Sequence, residues 1–252
     1  MAWEIEVVGR STIVVLALSL LISGSFGAKA SSVAAVACLA ADANSHEPLQ
    51  IQRVVDLCTS GLTVSELSQF IRAKLLETRG VAYRNRGDLE LSLQDLNSAV
   101  ELDKDNDAYL RMRAWTLRQL GRAADAERDY EQALAINPEW QGYLSRCVTR
   151  MDQEMYAGAL EDCEKSLAMR RLGDGLYFSA MALHRLSRSE EALPRILEAC
   201  GLDGAIPEHF LLLAEVQLKL AHHSNAHETA RAALQKFPDD SNLRKKLLEM
   251  GL

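Results

Sequence analysis

A pattern of small and large apolar residues repeats along most of the chain. The segment at 87–100, GDLELSLQDLNSAV, recurs at 121–134 and more loosely at 156–167, with fainter copies from 189 and 225. Two small residues, seven positions apart, recur every 33 or 34 residues: Ser92 and Ala99, Ala126 and Ala133, Ala159 and Ser166, Ala192 and Ala199, Ala226 and Ala233. Small residues let two helix backbones approach closely. Each copy is therefore predicted to be one helix–turn–helix unit.

Turn residues divide this region into five units. Gly87 and Gly121 stand where first helices should end. Pro138 and Pro238 stand where second helices should end and new helices begin. The third unit lacks a small turn residue, and Pro194 falls inside the predicted second helix of the fourth. The predicted array covers 71–238, as repeats at about 73–106, 107–139, 140–172, 173–206 and 207–238, and a charged capping helix covers 239–252.

This period and these residue types resemble the tetratricopeptide repeat (TPR) family. The residues that fit the family pattern are Gly80, Tyr83, Gly87, Leu96 and Ala99 of repeat one; Leu110, Ala114, Gly121, Ala126, Tyr130, Ala133 and Pro138 of repeat two; and Ala214, Ala226, Ala233 and Pro238 of repeat five. The resemblance implies an all-α, right-handed superhelical solenoid. In that family the first helices line a concave groove in which a peptide lies.

Repeat position assigns a set of side chains to this groove. They are Lys74, Glu77, Val81, Arg84 and Asn85; Arg111, Trp115 and Arg118; and Tyr177, Met181, His184 and Arg185. A tryptophan among guanidinium groups is a candidate hot spot for an acidic segment or a C-terminal carboxylate. In the alternative, Trp115 packs against the next repeat and the arginines are solvated. The carboxylate clamp of chaperone-type repeats is not matched, because Glu77 and Val81 occupy its lysine and asparagine positions.

The first 30 residues are typical of a secretory signal peptide. The run TIVVLALSLLI at 12–22 follows Arg10, and Ala28-Lys29-Ala30 matches the A-x-A cleavage pattern. We expect cleavage after Ala30 and an exported, periplasmic protein. Two alternatives stay open. An uncleaved membrane anchor would be short, because a span needs about 20 apolar residues, and a lipoprotein acylated at Cys38 would place the cysteine far from the apolar run.

Residues 31–70 are predicted to form a helical extension in front of the repeats. One helix covers Pro48 to Leu57, and Ser65 begins a longer one that runs into the first repeat. Cys38 and Cys58 in this context resemble exported alphaproteobacterial TPR proteins, in which a cysteine pair brackets the helix before the repeats. The resemblance implies a Cys38–Cys58 disulfide in an oxidising compartment. The alternative is two free cysteines.

Three further cysteines fall inside the array. Cys163 and Cys200 occupy apolar positions of second helices and are interpreted as small buried apolar residues. Cys147 lies on the helix that faces Cys163, so a second bridge is an open alternative. No C-x-x-C pair is present, which argues against redox or zinc chemistry.

Charge and motifs point away from catalysis. The formal net charge is −7, and basic residues are mixed with acidic ones, so no nucleic-acid partner is expected. His222, His223 and His227 form a cluster without a third spaced metal ligand. We therefore predict no metal, no cofactor and no enzyme, but an interaction scaffold or adaptor of the bacterial envelope whose partner is a protein or peptide. The alternatives are a membrane-tethered assembly factor and an enzyme or sensor with its site in the front segment.

Overall fold

The computed structural model describes residues 26–252, with side chains from residue 30 onward. The described chain contains thirteen α-helices and no strand, and it is an all-α helical repeat solenoid. The helices are α1 (Phe26–Ala40), α2 (Pro48–Leu62), α3 (Gln69–Arg86), α4 (Leu89–Leu102), α5 (Asp107–Gln119), α6 (Ala123–Ile136), α7 (Trp140–Asp152), α8 (Tyr156–Met169), α9 (Gly173–Arg185), α10 (Ser189–Gly201), α11 (Pro207–Lys219), α12 (His223–Lys236) and α13 (Ser241–Glu249).

These helices form two units, divided after Ile136. In the front unit, α1 packs on α2 and α2 on α3, and the hairpins α3–α4 and α5–α6 follow. The rear unit consists of the hairpins α7–α8, α9–α10 and α11–α12, with α13 packed against α11 and α12. Pro194 lies within α10 without ending it.

The N-terminal prediction falls mostly outside the described residues. Residues 1–25 of the expected signal peptide are not described, and the backbone of residues 26–30 belongs to α1. Side chains of α1 pack into the front unit from Ser32 onward. A β-carbon on Gly61 would lie 2.7 Å from the Cα of Ala35, so α1 and α2 cross where only glycine fits. None of the helices in the described region is long and apolar enough to span a membrane.

The five hairpins share one turn geometry. A residue with a positive φ stands one position after the first helix in the first hairpin and two positions after it in the other four. These residues are Gly87, Gly121, Glu154, Ser187 and Ala221, with φ of 92°, 73°, 58°, 61° and 59°. The amide of the next residue then donates to a carbonyl five residues back, at 2.8–2.9 Å in all five cases, which satisfies a helix-end acceptor. Repeat three therefore makes the same turn as its neighbours, although Glu154 is neither small nor suited to this conformation.

A buried ion pair joins the two helices in each of the first three hairpins. The aspartate follows the arginine by sixteen residues and accepts two bonds of 2.7–2.8 Å from its Nε and Nη2, in Arg79–Asp95, Arg113–Asp129 and Arg146–Asp162. The bond to the carboxylate raises the pKa of Arg79 and of Arg113. The corresponding positions hold Ser179 and Arg195 in the fourth hairpin and Leu213 and Thr229 in the fifth.

The structure places four cysteines at disulfide distance. The sulfur atoms are 1.98 Å apart in Cys38–Cys58, which joins α1 to α2, and 2.09 Å apart in Cys147–Cys163, which joins α7 to α8. All four side chains are buried. Cys163 is thus not only a small buried residue, and the bridge left open by the sequence is the arrangement found. Cys200 is half-buried and unpaired among the described cysteines.

The second bridge occupies a site where the first two hairpins pack a small residue against a large apolar or aromatic side chain. Residues 147 and 163 correspond to Gly80 and Leu96 in the first hairpin, and to Ala114 and Tyr130 in the second. A β-carbon on Gly80 would lie 3.0 Å from Cγ of Leu96, so these positions face each other closely. In the third hairpin a covalent bond replaces this small-against-large packing.

Candidate functional site

The predicted groove of the front unit lies on α3 and α5, and two of its four predicted cations, Lys74 and Arg111, pair with carboxylates. Lys74 Nζ is 2.7 Å from a Glu77 carboxylate oxygen. Arg111 Nη2 is 3.1 Å from an oxygen of Asp107, one helical turn earlier. Asn85 donates its side-chain amide to the carbonyl of Ala43 at 2.9 Å, so it fastens the loop between α1 and α2. This part of the groove is therefore less basic than its sequence indicates.

Arg84 and Trp115 form the most distinctive contact of this groove. The guanidinium carbon of Arg84, from α3, lies 4.0 Å from the centroid of the Trp115 ring, from α5. Its Nη1 also lies 3.4 Å from the sulfur of Met112. Burial lowers the pKa of Arg84, which nevertheless stays cationic. Both side chains are half-buried, as is Arg118 one turn beyond the indole. Arg84 thus holds a cation against the aromatic face.

In the rear unit, three predicted groove residues line a cleft of about 460 Å³. Tyr177, Met181 and Arg185 come from α9 and face residues of α11 and α13. The other lining residues are Glu208, Leu211, Leu212 and Glu215 of α11, with Lys246, Glu249 and Met250 at the end of the chain. The structure therefore brings residues of repeat four together with α13. The sequence predicted only a capping role for α13.

His184 does not line this cleft. Its Nδ1 is 3.0 Å from the hydroxyl oxygen of Ser189, at the start of α10. Burial is the main cause that lowers its pKa, so the neutral imidazole is favoured. His184 links the end of α9 to the next helix, which is a structural contact within the hairpin.

The electrostatics of the cleft centre on Tyr177. Burial, followed by the carboxylates of Glu208 and Glu215, raises the pKa of its hydroxyl to about 12, while Arg185 acts weakly in the opposite direction. The phenol therefore stays protonated at neutral pH and can donate a hydrogen bond. The Tyr177 ring also contacts Phe178 edge-on, with centroids 5.0 Å apart. The ring is thus held in place beside two carboxylates.

His209 is a residue that sequence reasoning missed. It is 3% exposed, and its ring centroid lies 5.1 Å from that of Tyr177. Neither ring nitrogen makes a hydrogen bond of normal geometry. Burial lowers its pKa, while Asp174 and the nearby Ala199 carbonyl act in the opposite direction. In the sequence, its position among the apolar residues at the start of α11 indicates that its side chain is buried.

No metal-binding arrangement is found within residues 26–252. No group of three or more His, Cys, Asp or Glu side chains in that range could hold a metal ion. His222, His223 and His227 are exposed at the start of α12.

Comparison with known proteins identifies the repeats. Residues 73–106 and 108–140 match family models of the tetratricopeptide repeat. Human tetratricopeptide repeat protein 13 is 32% identical over 98 residues, which is 37% of this chain and 11% of that protein. The match thus spans about a tenth of that relative's length. Residues 73–140 thus match tetratricopeptide repeats over the first two hairpins, and these comparisons support the family that the sequence resembles.

Solved structures share the fold. YrrB, a TPR protein described as having an unusual peptide-binding site, aligns with a TM-score of 0.61 and 14% identity, covering 82% of this chain and 99% of that one. MamA from Desulfovibrio magneticus RS-1 aligns with a TM-score of 0.62 and 19% identity over 68% and 98%. A TPR protein of Parabacteroides merdae aligns with 0.61 and 14% over 94% and 89%. At these identities the similarity concerns the fold alone.

Proposed function

We propose that this protein is a non-catalytic interaction scaffold that binds a peptide or protein segment along the first helices of its repeats. The observation that carries the proposal is the Arg84–Trp115 contact, which holds an aromatic face and a cation together on α3 and α5. Buried aromatic and arginine side chains are the residues that most often dominate binding energy at interfaces. YrrB, a protein of the same fold, is described as having a peptide-binding site, which supports a peptide-binding role for this protein.

For the front groove we propose an acidic segment as the partner. Arg84 lies on the indole ring, and Arg111 and Arg118 lie about one helical turn before and after Trp115 on α5. A carboxylate could accept bidentate bonds from a guanidinium group there. Because Asp107 already pairs with Arg111, the partner has to replace an existing contact. Because the attraction between the arginines and an acidic segment acts at a partly exposed surface, binding should weaken as salt concentration rises.

A triple substitution tests this groove. Arg111→Ala, Trp115→Ala and Arg118→Ala are combined in the purified protein, and Gln132→Ala on the exposed face of α6 is the matched control. Peptides selected from a random-sequence phage library on the unaltered protein are then measured by fluorescence anisotropy. We expect the triple variant to lose binding of acidic peptides and the control to keep it. Unchanged binding would refute the front-groove proposal.

We propose further that the protein is exported and works in the bacterial cell envelope. The leader-like residues 1–30 support export, and two buried cysteine pairs at disulfide distance suit an oxidising compartment. Cleavage after Ala30 would leave the buried α1 side chains of Ser32, Ala34, Ala35 and Cys38 in place. The intact mass of the protein recovered from a bacterial periplasm tests this. A mass that includes residues 1–30 would indicate the tethered form instead.

A further inference from the structure

The cleft of the rear unit has a chemical character different from that of the front groove. Leu211 and Leu212 are buried, and Met181 and Met250 are half-buried, so together they supply an apolar floor. Methionine side chains adapt to different partners because they are unbranched and polarisable. An apolar floor of this kind can pack against the aliphatic part of a bound side chain in more than one conformation.

Carboxylates without ionic partners stand beside that floor. Glu208 and Glu215 lie on α11 seven residues apart, which places them on one face of the helix. Both are exposed, and neither has a basic group within ion-pair distance among the described residues. They flank Leu211, and both raise the pKa of Tyr177. The surroundings of the half-buried Tyr177 ring are therefore net negative.

The cations of the cleft limit what can bind. Arg185 and Lys246 are exposed and line the same cleft. They would repel a run of basic residues but tolerate a single one placed beside the two carboxylates. Glu249 is also in the lining, and its nearest cation is Lys245 at 3.8 Å.

We propose that this cleft binds a partner-protein segment through one lysine or arginine flanked by apolar residues. The long aliphatic stem of such a side chain would lie on the floor formed by Met181, Leu211 and Met250, as these stems do on apolar surfaces. Its cationic head would sit between Glu208 and Glu215, next to the Tyr177 ring. The proposal rests on the scaffold function above, and it assigns the rear unit a preference opposite in charge to that of the front groove.

The test compares peptides selected from a random-sequence phage library on the unaltered protein and on variants. The test variant is Glu208→Gln/Glu215→Gln, and the control is Glu190→Gln/Glu228→Gln, which removes two exposed carboxylates from α10 and α12. Besides acidic peptides that bind the front groove, the selection on the unaltered protein should yield a class of peptides with a single lysine or arginine next to leucine, methionine or aromatic residues. Their affinity should fall about tenfold in the test variant and by less than twofold in the control.

A charge reversal sharpens the test. Glu208→Lys/Glu215→Lys should shift the selection toward acidic peptides, and circular dichroism establishes that each variant is folded. The proposal is overturned if basic peptides bind Glu208→Gln/Glu215→Gln as tightly as the unaltered protein, or if only polybasic peptides are recovered. If every recovered peptide loses affinity only in the Trp115 triple variant, and none in Glu208→Gln/Glu215→Gln, the cleft proposal is overturned and the scaffold function is kept. Recovery of no peptide above background would overturn both.

Discussion

Replacing Asp129 with alanine removes the acceptor of a buried ion pair, and we expect it to lower the free energy of unfolding by about 3 kcal/mol. The carboxylate accepts from Nε and Nη2 of Arg113, both at 2.7 Å. The side chains are 8% and 20% exposed for Asp129 and Arg113. Hydrogen bonds to charged groups are worth roughly 1.5–3 kcal/mol each. Partial exposure of Arg113 and its 3.3 Å bond to Asn97 reduce that sum.

The assay is urea unfolding followed by far-ultraviolet circular dichroism, with a double-mutant cycle around the pair. Arg113→Met/Asp129→Leu should recover most of the loss, because two apolar side chains leave no buried charge unpaired. Arg188→Ala, which breaks an exposed pair with Glu191, is the control and should leave stability nearly unchanged, because solvent screens an exposed ion pair. A loss below 1 kcal/mol for Asp129→Ala, or no coupling in the cycle, would refute the reasoning.

Three further predictions concern the rear unit. Cys147→Ser/Cys163→Ser opens a loop of 16 residues and should lower the free energy of unfolding by about 3 kcal/mol, measured by urea unfolding against Cys200→Ser; equal stability of the two variants would contradict this. Ala221→Gly should raise the free energy of unfolding by up to about 1 kcal/mol, because glycine adopts the positive φ of 59° without strain; unaltered or lower stability would show that alanine is relaxed there. Burial lowers the pKa of His209 in the folded state, so the neutral imidazole contributes its full stability above the ordinary histidine pKa of about 6.5, and this stability is lost as the pH falls below that value. His209→Leu should therefore flatten the dependence of the free energy of unfolding on pH between about pH 5 and 7.5. An unchanged slope would exclude His209 as the origin of the pH dependence.

The repeat architecture could be predicted because its signal is carried by single residue types at a fixed period. Ala126 and Ala133 mark a close helix approach whatever surrounds them, so spacing alone indicates the hairpin. The turn of repeat three was harder to predict, since Glu154 does not favour a positive φ by itself. The hydrogen bond from Met155 to the Arg150 carbonyl accompanies this conformation, and it depends on the packed hairpin rather than on local propensity.

The candidate sites could be predicted only as a set of helix positions. Repeat position placed Trp115 and Arg84 on first helices, but it did not show that the guanidinium lies on the indole. The sequence does not predict Asp107 as a partner of Arg111 or the Ala43 carbonyl as a partner of Asn85, because these contacts depend on side-chain rotamers and on the path of a loop. The rear cleft requires α13, whose docking is a tertiary contact made by Leu243 and Leu247.

The two cysteine pairs also limit how far the chain can be stretched. The bonds Cys38–Cys58 and Cys147–Cys163 close loops of 20 and 16 residues. A chain pulled from its ends and fully unfolded would be about 110 Å shorter with both bonds intact than after reduction, at about 3.4 Å per extended residue. The final extension in a single-molecule pulling experiment would then report directly on whether each covalent tie is present. If this chain served as a linker under tension, its maximum length would depend on whether the two disulfides are oxidised or reduced, as well as on its number of repeats.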